Sequence, residues 1–160
     1  MPSKARRSPG PAAPATKHRG AAGRKASSTA GGAARTVLVV DDDPSVLPAL
    51  ARLIRAAGLK VATFDRPSAL LASEVPATNA CMLVDVHLPE MSGIQLCEAL
   101  VRSGRGLPAI IITGRNDVET RRVIARAHPV ATLFKPIDER TLLEAIDRAL
   151  DISKGSHTDS

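Results

Sequence analysis

Between Thr36 and Leu150, five short apolar runs alternate with five stretches of helical periodicity. The runs fall at 36–40, 60–64, 80–84, 108–112 and 131–134. Val37-Leu38-Val39-Val40, Cys81-Met82-Leu83-Val84 and Ile110-Ile111-Ile112 are apolar without a break. Continuous apolar strands suit a parallel sheet covered on both faces. The stretches 44–57, 67–74, 92–103, 117–127 and 139–150 are predicted helices. Five βα units of this length restrict the chain to an open, doubly wound α/β sheet. Ligands on such sheets sit at the carboxyl ends of the strands, beside the switch in strand order.

Local signals agree with this pattern. Asp43 and Asp138 are expected helix caps, with Pro44 in the first turn after Asp43. Pro48 lacks the N–H that would bond the Pro44 carbonyl, so the first helix is expected to start irregularly. Gly58 ends it. Leu142, Leu143, Ile146 and Leu150 form the buried stripe of the last helix. No internal repeat is visible. After Leu150 only a short polar tail, 151–160, follows, so the domain is expected to stand alone.

The chain has 160 residues, 44% of them hydrophobic, which fits one domain with a real core. No run approaches the ~18 apolar residues of a membrane span. Met1-Pro2-Ser3-Lys4 leads into no apolar signal region. Cys81 and Cys97 lie in apolar patterns and predict reduced core thiols. A cytoplasmic protein with no membrane partner is expected. Residues 1–35 are rich in Pro, Ala, Gly, Ser and basic residues, and contain no Leu, Ile, Val or Phe. They cannot bury enough apolar surface to offset their ordering entropy and are expected to be disordered. Eight cations and no acid fall in residues 1–36, against +6 for the whole chain, which leaves residues 37–160 at −2. The basic character therefore belongs to the extension. Phe64 and Phe134 are the only aromatics, too few for a base-stacking surface. The extension carries no folded recognition motif, so no sequence-specific nucleic-acid binding is expected, only salt-sensitive contact with polyanions.

Chemistry gathers at the strand ends. Asp41, Asp42 and Asp43 end the first run. Two carboxylates about 4 Å apart repel by roughly 4 kcal/mol at an effective dielectric near 20, a cost that a cation would offset. Asp85 ends the third run, Thr113 the fourth and Lys135 the fifth, followed by Pro136. An acid pair, an acid, a hydroxyl and an ammonium suit one task. They can hold a divalent cation beside a carboxylate that takes up a phosphoryl group.

The segments Val37-Leu38-Val39-Val40-Asp41-Asp42-Asp43-Pro44, Leu83-Val84-Asp85-Val86-His87-Leu88-Pro89-Glu90-Met91-Ser92-Gly93, Ile111-Ile112-Thr113-Gly114 and Phe134-Lys135-Pro136 carry a resemblance. In this order and spacing, residues 36–150 resemble the receiver domain of two-component response regulators. The resemblance implies a flavodoxin-like, five-stranded parallel sheet of order 2-1-3-4-5 with helices on both faces. It implies that Asp85 is the phosphoacceptor, attacking a phosphohistidine of a histidine kinase or histidine phosphotransfer protein. Asp41 and Asp42 would hold Mg²⁺, Asp42 the more directly, with the Asp85 carboxylate and the His87 backbone carbonyl completing the protein ligands. Thr113 would hydrogen-bond the attached phosphoryl group and Lys135 would pair with it. The side chains of His87 and Arg115 would flank it and affect its lifetime. Such a domain signals by protein contact or phosphate shuttling and catalyses only its own phosphorylation and dephosphorylation.

Two positions depart from the family pattern. Thr132 stands where receivers usually carry an aromatic three residues before the lysine. Ala127-His128-Pro129-Val130 replaces the usual glycine entering the last strand, and histidine accepts a left-handed turn only at some cost. Two other functions compete. A haloacid-dehalogenase-type phosphatase also uses strand-end Asp, Thr and Lys residues, but it would leave Asp85 idle. A phosphorylation-independent adaptor would have no need of the intact acid set.

Overall fold

The computed structural model describes residues 34–156; the expectations for the basic extension 1–35 lie almost wholly outside the described residues, as do those for 157–160. Five strands and five helices alternate: β1 (Thr36–Val40), α1 (Val46–Ala56), β2 (Lys60–Phe64), α2 (Pro67–Leu71), β3 (Ala80–Asp85), α3 (Gly93–Arg102), β4 (Ala109–Thr113), α4 (Val118–Ala125), β5 (Ala131–Phe134) and α5 (Glu139–Ser156). The strands form one parallel sheet in the order β2-β1-β3-β4-β5. This is the fold expected from the sequence.

The pleat sends alternate residues of each strand to opposite faces. Val37, Val39, Cys81, Leu83, Ile110, Ile112 and Leu133 pack under α1 and α5, against Leu50, Ile54, Leu142, Ile146 and Leu150. Leu38, Val40, Met82, Val84 and Ile111 pack on the other face, against Leu70, Ile94, Leu96, Leu100 and Ile124 of α2, α3 and α4. Residues on both faces of β3 are fully buried, as its unbroken apolar run predicts. Each fully buried Leu or Ile here contributes ~1.5–3 kcal/mol of transfer free energy. Both cysteines are free and buried, and burial pushes each thiol up to about 12. No described helix is long and apolar enough to cross a membrane.

Several boundaries move for polar reasons. The first helix begins at Val46 and not at Pro44. Pro48 then falls in the first turn, where a backbone N–H has no intrahelical partner. Asp43 closes the turn before it. Its Oδ1 accepts from the Ser45 N–H at 2.8 Å, and its carbonyl accepts from Val46 and Leu47. The fourth strand starts at Ala109, after Pro108. The second helix stops at Leu71, where Arg105 donates to the Leu71 and Ser73 carbonyls at 3.2 and 3.3 Å. Asp138 caps α5 as expected, accepting from the Thr141 N–H at 2.8 Å.

The tail starting at 151 is a correction. Helix α5 continues to Ser156. Ser153 is buried and its Oγ accepts from the Ala80 N–H, an amide at the start of β3, at 3.2 Å. A buried amide needs such a partner, and the extra helical turn supplies it.

Candidate phosphoacceptor site

Strand register sets the site. Val40 lies opposite Val84, so β1 and β3 end level, and Asp41 and Asp85 emerge side by side at the switch in strand order. Asp85 is still in register with Ile112 of β4. Thr113 pairs with Phe134 of β5, and the Lys135 N–H donates to the Thr113 carbonyl at 2.9 Å. Lys135 therefore leaves its strand at the same edge, and its peptide bond to Pro136 is cis.

The long lysine side chain crosses to the acids. Its Nζ donates to Asp85 Oδ2 at 2.9 Å and to Asp41 Oδ2 at 3.2 Å. Asp41 is fully buried and Asp85 only 6% exposed. Burial raises the Asp41 carboxyl above its ordinary value, and the Asp85 charge adds to that; the Asp43 N–H, at 3.0 Å from Asp41 Oδ1, and the Lys135 ammonium oppose it. Burial alone would lower the Lys135 ammonium. The Asp85 hydrogen bond and charge, with those of Asp41, outweigh it and hold the ammonium above its usual range.

One cation faces two buried acids here, and a third stands beside them. Ligand atoms of Asp41, Asp42 and Asp85 lie within 4.8 Å of one another. Asp42 is exposed, and among the described residues its carboxylate has no hydrogen-bond or ion-pair partner. An oxygen-only set with a surplus of negative charge fits a hard divalent cation that keeps several waters. The loop after β3 turns back on the acceptor, with the His87 N–H donating to Asp85 Oδ1 at 3.1 Å. His87 is exposed, as is the Arg115 side chain.

Asp41, Asp42, Asp85 and Lys135 thus form one cluster, which includes Asp85, the acid that a phosphatase would leave idle. The Thr113 hydroxyl makes no hydrogen bond to their side chains among the described residues. Thr113 is fully buried, and its Oγ1 accepts from the Arg115 N–H at 3.0 Å and lies 3.4 Å from the Arg115 carbonyl. Thr132 pairs with Ile111 in β5, partly buried, and Phe134 is 39% exposed. His128 does take the left-handed backbone expected of it, at φ 47°. Glu90, at φ 74°, and Asn79, at φ 55°, do so too, and nothing in the sequence reading marked them.

Beyond Thr113, Asp117 caps α4, accepting from the Thr120 N–H at 2.8 Å. That bond, with the Thr120 hydroxyl, holds the Asp117 carboxyl below its ordinary value. A depressed carboxyl contributes stability fully above its unfolded value of about 3.9, and loses it as pH falls through the folded value. Asp117→Ala is expected to unfold at lower urea concentration than the parent at pH 7, with the gap closing in acid below pH 4. A gap that stayed constant down to pH 2 would contradict the cap's charge.

A family model for the response regulator receiver domain matches residues 37–147. The response regulator protein TmoT of Ectopseudomonas mendocina is 35% identical over 117 residues, covering 73% of this chain and 53% of that protein. The transcriptional regulatory protein FixJ of Azorhizobium caulinodans is 32% identical over 114 residues, covering 71% of this chain and 54% of that protein. The chain therefore spans about half the length of the curated relatives it matches. With a transcriptional regulator among them, the relatives give no support to the expectation of no sequence-specific nucleic-acid binding. Among solved structures, the response regulator StyR matches with a TM-score of 0.69 at 40% identity, over 76% of this chain and 61% of that one. A CheY-like receiver domain protein from Methanospirillum hungatei JF-1 matches with a TM-score of 0.67 at 27% identity, over 76% and 97%. Fold, strand-end acids and relatives converge: the chain belongs to the response regulator receiver domain family, the signalling domain of two-component systems.

Proposed function

We propose that Asp85 accepts a phosphoryl group from the phosphohistidine of a histidine kinase or histidine phosphotransfer protein, in a Mg²⁺-dependent reaction. The observation that carries this reading is the Lys135 ammonium, which reaches both Asp85 and Asp41 while Asp42 stands unpaired beside them. In the transfer, an Asp85 carboxylate oxygen attacks phosphorus. The phosphorus–nitrogen bond breaks, its electron pair stays on the imidazole, and an acyl phosphate forms. Positioning and charge neutralisation do most of the catalytic work in such transfers. Lys135 already sits at the acceptor oxygen and serves as a point charge for the arriving phosphoryl oxygens. Mg²⁺ held by Asp41, Asp42, the Asp85 carboxylate and the His87 backbone carbonyl would supply the remaining neutralisation. The side chains of His87 and Arg115 would flank the phosphoryl group and affect its lifetime.

Thr113 is the element that must change. Its hydroxyl now holds the Arg115 backbone, and turning to the phosphoryl group releases that loop and, through Asp117, the start of α4. A local charge change thereby biases a surface, which signals by protein contact or by passing the phosphoryl group on. The test is direct: incubation with a phosphorylated histidine kinase and Mg²⁺ should give one base- and hydroxylamine-labile acyl phosphate, and none in EDTA.

The metal reading has its own check. Mg²⁺ binding only the folded state stabilises by mass action, about 2.7 kcal/mol at a hundredfold excess over Kd. Mg²⁺ should therefore raise the melting temperature of the parent and leave that of Asp42→Ala unmoved. An equal rise in both would remove Asp42 from the ligand set.

A further inference from the structure

Glu90 holds a left-handed backbone, φ 74°, in the loop between Asp85 and Gly93. A residue with a Cβ is strained there and stays only where its surroundings hold it. What holds Glu90 lies far back in the chain. Its Oε1 accepts from the Ser68 N–H and its Oε2 from the Ser68 hydroxyl, both at 2.9 Å. Helix α2 needs this, because Arg66, its N-terminal cap residue, makes no side-chain cap. The Ser68 amide belongs to the first turn, where intrahelical partners are missing. Among the described residues, this is the hydrogen-bonded link from residues 87–91 to another element of the fold. The other bonds of that stretch are local: the His87 N–H to Asp85 Oδ1 and the Met91 N–H to the Pro89 carbonyl.

We propose that Glu90 is a positioning residue for the phosphoacceptor loop. By clamping the loop to the start of α2 through Ser68, it fixes the His87 backbone relative to Asp85. The assignment rests on the reading above, in which the His87 carbonyl serves as a metal ligand. The clamp makes α2 and the loop one body, so its loss is read at the metal site.

Glycine separates positioning from simple loop structure. Glu90→Gly removes the strain and the clamp together. A loop residue of no further consequence would leave Mg²⁺ affinity alone and raise the Mg²⁺-free melting temperature. Titration with Mg²⁺, read by melting temperature, is combined with hydrogen exchange of residues 86–91 in EDTA. Glu90→Gly is expected to weaken Mg²⁺ about tenfold, the scale of losses when a ligand's support is removed, and to speed exchange in the loop. Glu90→Gln keeps an acceptor for the Ser68 amide and should stay near the parent, while Ser68→Ala, which keeps the amide bond only, should fall between. Parental Mg²⁺ affinity and exchange in Glu90→Gly would overturn the proposal. So would equal losses in Gln and Gly, which would assign the effect to charge. Asp42→Ala distinguishes the two readings. If that variant kept its full Mg²⁺ response, the metal set would have failed, and loop exchange in EDTA would still decide on Glu90.

Discussion

Asp85→Asn is expected to abolish phosphoryl uptake while leaving a folded protein. The substitution preserves shape and keeps an oxygen for the His87 N–H, which now lies 3.1 Å from Asp85 Oδ1. It replaces a carboxylate nucleophile with a neutral amide oxygen, which cannot form the acyl phosphate. The loss should be all-or-none, down to the background of the label. Stability should change little, because two effects oppose. Lys135 loses one partner but keeps Asp41 at 3.2 Å. Asp41 loses the neighbouring charge that helps raise its carboxyl. Radiolabel from a phosphohistidine donor and a thermal melt of the same sample check both halves. Label on Asp85→Asn at the parental level would overturn the acceptor assignment. Label on Asp41 would instead favour a haloacid-dehalogenase-like arrangement.

The strands were legible because a sheet covered on both faces needs unbroken apolar runs, and Val37–Val40, Cys81–Val84 and Ile110–Ile112 admit little else. Helix ends were less legible, because single polar contacts between distant segments set them. Arg105 ends α2 from 34 residues away, and Ser153 extends α5 by meeting an amide 73 residues distant. A serine past the last leucine of a stripe reads as solvent-facing until the strand it covers is known. The site divides in the same way. Residue types at strand ends were visible one by one, but their grouping follows from strand order. Only with β1 beside β3, and β5 beyond β4, does Lys135 meet both Asp41 and Asp85. The present direction of the Thr113 hydroxyl, and the Glu90–Ser68 clamp, depend on side-chain geometry that no residue pattern encodes.

Gly93 is where fold and site are least separable, and Gly93→Ala is expected to damage both. Glycine in a loop commonly supplies left-handed backbone. The structure gives a different reason. Its φ lies outside the left-handed range that Gly58 and Gly104 occupy. Instead, a Cβ at Gly93 would collide with the Asp85 carbonyl oxygen and would stand 2.6 Å from Val84 Cγ1. The first of these is backbone of the acceptor strand, pinned by its register with β4, and the Gly93 N–H already bonds the Val86 carbonyl at 2.9 Å. Neither neighbour can yield cheaply, so one methyl group must displace the start of α3 from the end of β3. Overpacking of this kind costs about 3 kcal/mol, or roughly 10 °C in melting temperature for a domain of this size. Because the displaced carbonyl belongs to Asp85, phosphoryl uptake should also slow, even at temperatures where the variant is folded. Gly114→Ala is the matched control. A Cβ there meets nothing within 4 Å, so that variant should melt at or slightly above the parent through lower unfolded-state entropy. Parental melting of Gly93→Ala would show that α3 can slide off the strand end without cost. The glycine would then be a loop feature only, and the close approach to Asp85 would not be what requires it.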